Sequence, residues 1–273
     1  MCEIPKKSAI EIDTEIIDIE IKDTKMKNLR ARGRRSPWSE AATPPSFPVG
    51  HVDIWKLSLD EPSKASVLSS DELARASRFH FDKDRTRFIR CRSVLRFLLS
   101  GYLGVPAAEI RFEYSSNGKP QLPPKQNPRG LQFNVSHSAD VALIAVGAEL
   151  QLGIDIEKIR EEVDTAALAQ RFFSSREGAG LQALPDHLRL AGFFACWTRK
   201  EAFLKATGTG LSFPLADFSV TTHPDLPPQL EDLQGDAEAH KRWFLTDLGV
   251  GKAYRATLAL DRHSPLATFA FKG

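Results

Sequence analysis

A chain of 273 residues with 42% apolar content can bury a core for one large domain or two of ordinary size. Its 37 Lys and Arg nearly balance 35 Asp and Glu, so no global field marks a nucleic-acid or membrane-surface binder, and any anion site must come from local clustering. No apolar run approaches the ~18–20 residues of a membrane span, no basic-then-apolar leader opens the chain, and Cys2, Cys91 and Cys196 form no C-x-x-C arrangement; a cytoplasmic protein without disulfides or cysteine-held zinc is expected.

Residues 1–48 differ from the rest. The alternation in EIDTEIIDIEIKD could add an edge strand, but the Pro- and Ser-rich connector SPWSEAATPPSFP points to a flexible tail that is left out of the function. From HVDIWKLSL onward, alternating Val52, Ile54, Leu57 and Leu59 predict a strand. The stripe Phe88, Cys91, Leu95, Leu98 and Tyr102 predicts a helix over about 82–103, ended by Gly104 and Pro106. Next, IRFEYSSNGKPQL reads as a strand entering an Asn-Gly turn, and LQFNVSHS, DVALIAVGA and LGIDIEKI as three successive strands. A helix at about 164–173, a second ending at Thr207, and strands in DFSVTTH, RWFLTDL, YRATLAL and ATFAFKG complete the chain. The economical picture is an α+β fold of two similar halves, 49–150 and 151–273, each with a long helix packed on an antiparallel sheet.

Several residue sets carry chemistry. In GIDIE, residues two apart share a strand face, so Asp155 and Glu157 project together while Ile154 and Ile156 enter the core. Neighbouring carboxylates repel unless a cation lies between them, and such hard oxygen ligands suit Mg²⁺ completed by water and phosphate; a solvated strand face is the competing account. In WTRKEAFLKATGTGL, Trp197, Glu201 and Lys205 at i, i+4, i+8 share a helix face, with Lys200 to one side. A third carboxylate brought to the first two, with lysines nearby, would make a metal-plus-phosphate site; a weak surface ion pair is the alternative. Ser136 and His137, at a strand end, could contact phosphate, although no G-x-S-x-G elbow surrounds them. The arginine helix puts Lys83, Arg87 and Arg90 on one face and Arg85, Arg92 and Arg96 on another.

In this order, the arginine helix, NGKP, FNVSHS, GIDIEKI, RFFSSRE and WTRKEAFLKATGTGL resemble the Sfp-type 4′-phosphopantetheinyl transferases, over most of residues 50–220. The resemblance implies a pseudo-dimeric pair of halves with coenzyme A in the cleft between them. It implies Mg²⁺ ligands Asp155, Glu157 and Glu201; Lys205, Ser136 and His137 on the phosphates of coenzyme A; Gly118, Lys119 and Pro120 near the adenine; and Arg87 near the 3′-phosphate. Lys200 would assist the transferring charge, and Glu201, directly or through a metal-bound water, would be the base, with Glu177 the second candidate. The implied partner of this monomer is an apo acyl or peptidyl carrier protein, received by Lys and Arg near the junction or by apolar residues of 171–190. The same carboxylates leave open a metal-dependent phosphohydrolase, and the same cleft a non-catalytic coenzyme A-binding module.

Overall fold

The computed structural model describes residues 38–272, apart from 45, 64, 211, 212, 235 and 237. The alternating segment at 11–23 and the basic stretch after it therefore lie outside the described residues. Within the expected tail, Ser39–Ala41 forms β1, an edge strand.

The first half consists of β2 (Val52–Ser58), α1 (Ser70–Ala76), α2 (Asp82–Leu103), the short hairpin β3 (Glu113–Tyr114) and β4 (Pro120–Gln121), and the hairpin β5 (Leu131–Ser138) and β6 (Val141–Ala148). The second runs β7 (Leu152–Lys158), α3 (Thr165–Phe172), α4 (Ser175–Ala183), α5 (Asp186–Thr207), β8 (Phe218–Val220), β9 (Leu230–Leu233), α6 (Ala239–Arg242), β10 (Phe244–Asp247), β11 (Tyr254–Leu260) and β12 (Leu266–Phe271). The two long helices, α2 and α5, each end at a glycine in the left-handed region, Gly104 (φ 69°) and Gly208 (φ 72°), whose amide caps the last turn.

One sheet has the order β1-β12-β2-β6-β5 and another β10-β11-β7. Pairing is antiparallel throughout the second sheet and along β2-β6-β5, whereas β12 lies parallel to both β1 and β2. The sequence assigned 266–271 to the second half; the chain instead returns it to the first, between β1 and β2. Period-two patterning then sorts the core into layers. Trp55 and Leu57 of β2 and Ile144 and Val146 of β6 meet Leu95, Leu98 and Leu99 of α2. Ile54, Leu143 and Ala145, on the opposite face, share a core with Ile154, Ile156, Ala256 and Leu258 of the second sheet. Phe193, Phe194, Phe203 and Leu204 of α5 pack with Phe218 and Ala259.

Gly153 sets how closely α5 approaches β7. A Cβ there would stand 2.2 Å from the Ala202 carbonyl oxygen and 2.2 Å from the Ala206 amide nitrogen, so only glycine lets helix and strand backbones meet. That contact brings the Asp155 and Glu157 side of the strand beneath Glu201 and Lys205.

The arginines of α2 are largely structural. Arg92 and Arg96 both bind the buried carboxylate of Glu72 on α1, each at 2.6 Å, and Arg96 also donates to the Ala107 and Ile110 carbonyls. Arg90 donates to Glu61 and the Pro62 carbonyl. Much of the basic density in this helix therefore fastens α1 and neighbouring loops, rather than waiting for a ligand.

Candidate active site

Sheet one ends at β5 and sheet two at β7, and the two edges meet without a backbone ladder. Side chains of β5 take the place of the missing strand. Asn134 Oδ1 accepts from the Ile154 amide at 2.8 Å, Ser136 Oγ from Ile156 at 3.4 Å, and Ser138 Oγ from Lys158 at 3.0 Å. The alternation Asn134-x-Ser136-x-Ser138 on one strand matches the alternation of free amides on the other, satisfying donors that would otherwise be buried unpaired.

The same serines reach the carboxylates. Ser136 Oγ donates to Asp155 Oδ1 at 2.9 Å and Ser138 Oγ to Glu157 Oε2 at 2.8 Å. From α5, the Lys205 ammonium spans the seam, 2.5 Å from Asp155 Oδ1 and 2.9 Å from Ser136 Oγ. Lys205, Asp155 and Ser136, expected together, are thus in direct contact. His137, next along β5, is exposed at its end; desolvation in the cleft and the charge of Lys205 hold its imidazole below the ordinary range.

The acids are under-neutralised. Burial, together with the charge of Asp155, pushes both Glu157 and Glu201 up to about 7. Burial works against the charge on Lys205, yet Asp155 and Glu201 outweigh it and hold the ammonium above its usual range. Asp155 Oδ2 is buried with no hydrogen-bond partner. Among the described residues no group of three or more His, Cys, Asp and Glu side chains stands close enough together to hold a metal ion as placed. Asp155, with its orphaned carboxylate oxygen, and Glu157 and Glu201, whose carboxyls feel its charge, are the hard oxygen donors that would hold a cation drawn between them.

A pH effect follows. Glu157 and Glu201 keep their protons to about pH 7 in the fold but lose them near the ordinary 4.5 when unfolded. Between those limits the native state binds more protons, so stability conferred at this site falls as pH rises. With chelator present, the thermal midpoint of wild type should decline more steeply from pH 5 to pH 8 than that of Glu157→Gln. Parallel curves would show that the site carries no excess charge.

Two expected residues go elsewhere. Lys200 is fully buried and points away from the carboxylates; its ammonium donates to Glu177 Oε1 at 2.7 Å, Oε2 at 2.8 Å and the Phe218 carbonyl at 2.6 Å. It does not reach a group in transfer, which corrects its expected role. One residue of helix turns a side chain by about 100°, so Glu201 and Lys200 look to different neighbours. Glu177 is buried with it, also accepting from the Ser174 and Val220 amides, so it is no base. The signal was readable: in SSRE, Ser174 and Glu177 form a capping box at the start of α4.

The turn before β4 joins the halves. Lys119 Nζ donates to the Leu152 carbonyl at 3.2 Å and to the Lys205 carbonyl at 2.5 Å, near the C-terminal end of α5, where cations are favoured. Desolvation lowers it to about 8. Asn117 Nδ2 donates to the Gly208 and Thr209 carbonyls just beyond, Gly118 supplies the left-handed turn at φ 77°, and Pro120 opens β4. Arg87 donates its Nε to Asp60 at 2.7 Å, and its charge acts on the His137 ring. Sequence reasoning missed Asn134 and Ser138, whose period-two spacing with Ser136 was the available signal.

Residues 151–259 match the family model described as the 4′-phosphopantetheinyl transferase superfamily, and residues 54–149 match that of the 4′-phosphopantetheinyl transferase N-terminal region. The 4′-phosphopantetheinyl transferase HetI of Nostoc sp. is 45% identical over 185 residues, covering 66% of this chain and 78% of that protein. A putative 4′-phosphopantetheinyl transferase of Synechocystis sp. is 37% identical over 58% of this chain and 65% of its own length, just under two thirds. The 4′-phosphopantetheinyl transferase Sfp of Bacillus subtilis is 32% identical, over 67% and 80%.

Proposed function

Because this chain belongs to the 4′-phosphopantetheinyl transferase superfamily and is a transferase enzyme, we propose that it moves the phosphopantetheine arm of coenzyme A to a serine of an acyl or peptidyl carrier protein, as a Mg²⁺-dependent monomer that releases adenosine 3′,5′-bisphosphate. The observation that carries the reading is the cluster of Asp155, Glu157 and Glu201 with Lys205, in which one carboxylate oxygen stays buried without a partner. No helix among the described residues is long and apolar enough to cross a membrane.

The serine hydroxyl attacks the β-phosphorus of coenzyme A; a new P–O bond forms while the P–O bond to the adenosine 3′,5′-bisphosphate leaving group breaks, and the serine proton goes to a base. Phosphoryl transfer asks of a protein mainly positioning and charge neutralisation. Lys205, already fixed by Asp155 and Ser136, holds a cation against phosphate oxygens, and His137 adds a ring N–H at the end of the same strand. Glu201, beside Asp155 and Lys205 on the α5 face of the cluster, is suited to receive the proton, directly or through a metal-bound water. Bound Mg²⁺, held by Asp155, Glu157 and Glu201, would supply Lewis-acid charge to the pyrophosphate.

The test is incubation with coenzyme A, Mg²⁺ and a panel of apo carrier proteins from fatty-acid, polyketide and peptide assembly, read by intact-protein mass spectrometry. A gain of one phosphopantetheine mass on a carrier serine is expected. No gain on any carrier would sink the reading, and phosphate release without a carrier would point to hydrolysis instead.

A further inference from the structure

Two serines of β5 look alike in sequence but are committed differently. Ser136 Oγ lies among the Asp155 carboxylate, the Lys205 ammonium and the Ile156 amide, where a phosphate oxygen could join them. Ser138 Oγ has two partners, adjacent residues of β7: it accepts from the Lys158 amide at 3.0 Å and donates to Glu157 Oε2 at 2.8 Å. A backbone amide in a strand fixes where the hydroxyl oxygen sits. Its single proton is then committed to Glu157.

Glu157 has little else to hold it. It forms no ion pair among the described residues, and Ser138 gives the one hydrogen bond its carboxylate accepts there. The turn that carries Ser138 is, by contrast, pinned on both sides. Ala139 reverses the chain at φ 51°, and Asp140 after it accepts from the Tyr254 hydroxyl of β11 at 2.6 Å, while its carbonyl accepts from the Leu59 amide at 2.8 Å. Tyr254 is the register partner of Lys158, so this clasp closes beside the amide that Ser138 accepts from. The second half supplies the acid, and the first supplies a hydroxyl held in place to orient it.

We propose that Ser138 is a positioning residue for Glu157, orienting its carboxylate before a divalent cation arrives. The inference rests on the transferase reading above, in which Glu157 is a ligand of Mg²⁺. A glutamate side chain loses several rotors when it is fixed, and a ligand fixed beforehand does not draw that cost from metal affinity. Mg²⁺ demands near-octahedral geometry at short distances, so it gains more from an oriented carboxylate than a tolerant ion would. Ser138 acts through Glu157 and touches no substrate.

The test uses the full chain with coenzyme A present, and Mg²⁺ titrated by calorimetry. Ser138→Ala should weaken Mg²⁺ binding about tenfold or more, the usual cost of removing a hydrogen bond that orients a metal ligand. Ser138→Thr keeps the hydroxyl and should stay within about threefold of wild type. In a Glu157→Gln background Ser138→Ala should change the affinity by less than about twofold, a non-additivity that contact produces. Transfer should follow, with half-maximal rate at about tenfold more Mg²⁺ for Ser138→Ala while carrier KM at saturating Mg²⁺ stays within about twofold. The Lys158 amide left behind is exposed and can take water, so the melting point in chelator should change little. Wild-type affinity in Ser138→Ala, an equal loss in the Glu157→Gln background, or Ser138→Thr as weak as Ser138→Ala would overturn the positioning role. Should Glu157→Gln bind too weakly to titrate, the Ala and Thr comparison decides alone. Wild type that binds no Mg²⁺ and modifies no carrier fails the transferase reading itself; Mg²⁺-dependent transfer with unaltered affinity in Ser138→Ala fails this inference alone.

Discussion

Asp155→Ala and Asp155→Asn are expected to cut phosphopantetheine transfer by about a thousandfold or more while the protein stays folded. A site that neutralises developing charge with a cation supplies several kcal/mol, and each 1.36 kcal/mol is a decade of rate. Asp155 is the hub of that site: it receives Lys205 and Ser136, keeps its second oxygen free, and raises both Glu157 and Glu201. The last point sharpens the prediction. Removing the Asp155 charge relieves repulsion between the acids, so the chelated Asp155→Asn protein should melt no lower than wild type at pH 8. Steady-state transfer with thermal melts at that pH checks both halves. A variant with near-wild-type kcat, or one that loses activity only because it unfolds, would remove Asp155 from the centre of the chemistry.

The second large effect is on stability. Lys200→Met should destabilise by about 3–5 kcal/mol, the cost of leaving one member of a buried ion pair uncompensated, which lowers the melting point of a domain this size by roughly 6–20 °C. Lys200 and Glu177 both have fully buried side chains, so solvent does little to relieve the orphaned charge. Adding Glu177→Gln should recover much of the loss, because the amide oxygen can still accept from Ser174 or Val220 without carrying charge. At a temperature where Lys200→Met is folded, kcat should be near wild type. A large kcat defect in folded protein would restore Lys200 to the chemistry.

Local pattern and spacing reached far into this molecule. The helix over 82–103 followed from the Phe88 to Tyr102 stripe and Gly104, and the D-x-E face followed from strand periodicity, because both are fixed within a few residues. That Lys205 would meet Asp155 and Ser136 followed only from the resemblance, since those residues are 50 and 69 apart in sequence. Lys200 was misassigned because adjacency to Glu201 in sequence is not adjacency on a helix, and its partner lies 23 residues away. That Arg92 and Arg96 would bind one acid was not legible, because that acid, Glu72, belongs to a short helix the apolar pattern did not reveal. The strand return at 266–271 had no local signature at all.

That return makes the order of synthesis matter. Strand β2, with Trp55 at its centre, pairs on one side with β6, about ninety residues later, but its other neighbour is β12, about two hundred residues on. A ribosome making roughly 5–20 residues per second therefore exposes that edge of β2 for some ten seconds or longer before its partner exists. An open, apolar strand edge is what nascent chains aggregate through, so the first half is the stretch of this protein most dependent on chaperone cover. For the same reason a fragment cut near residue 150 lacks an interior strand of its own sheet, and the two halves, alike as they are, mature as one cooperative unit.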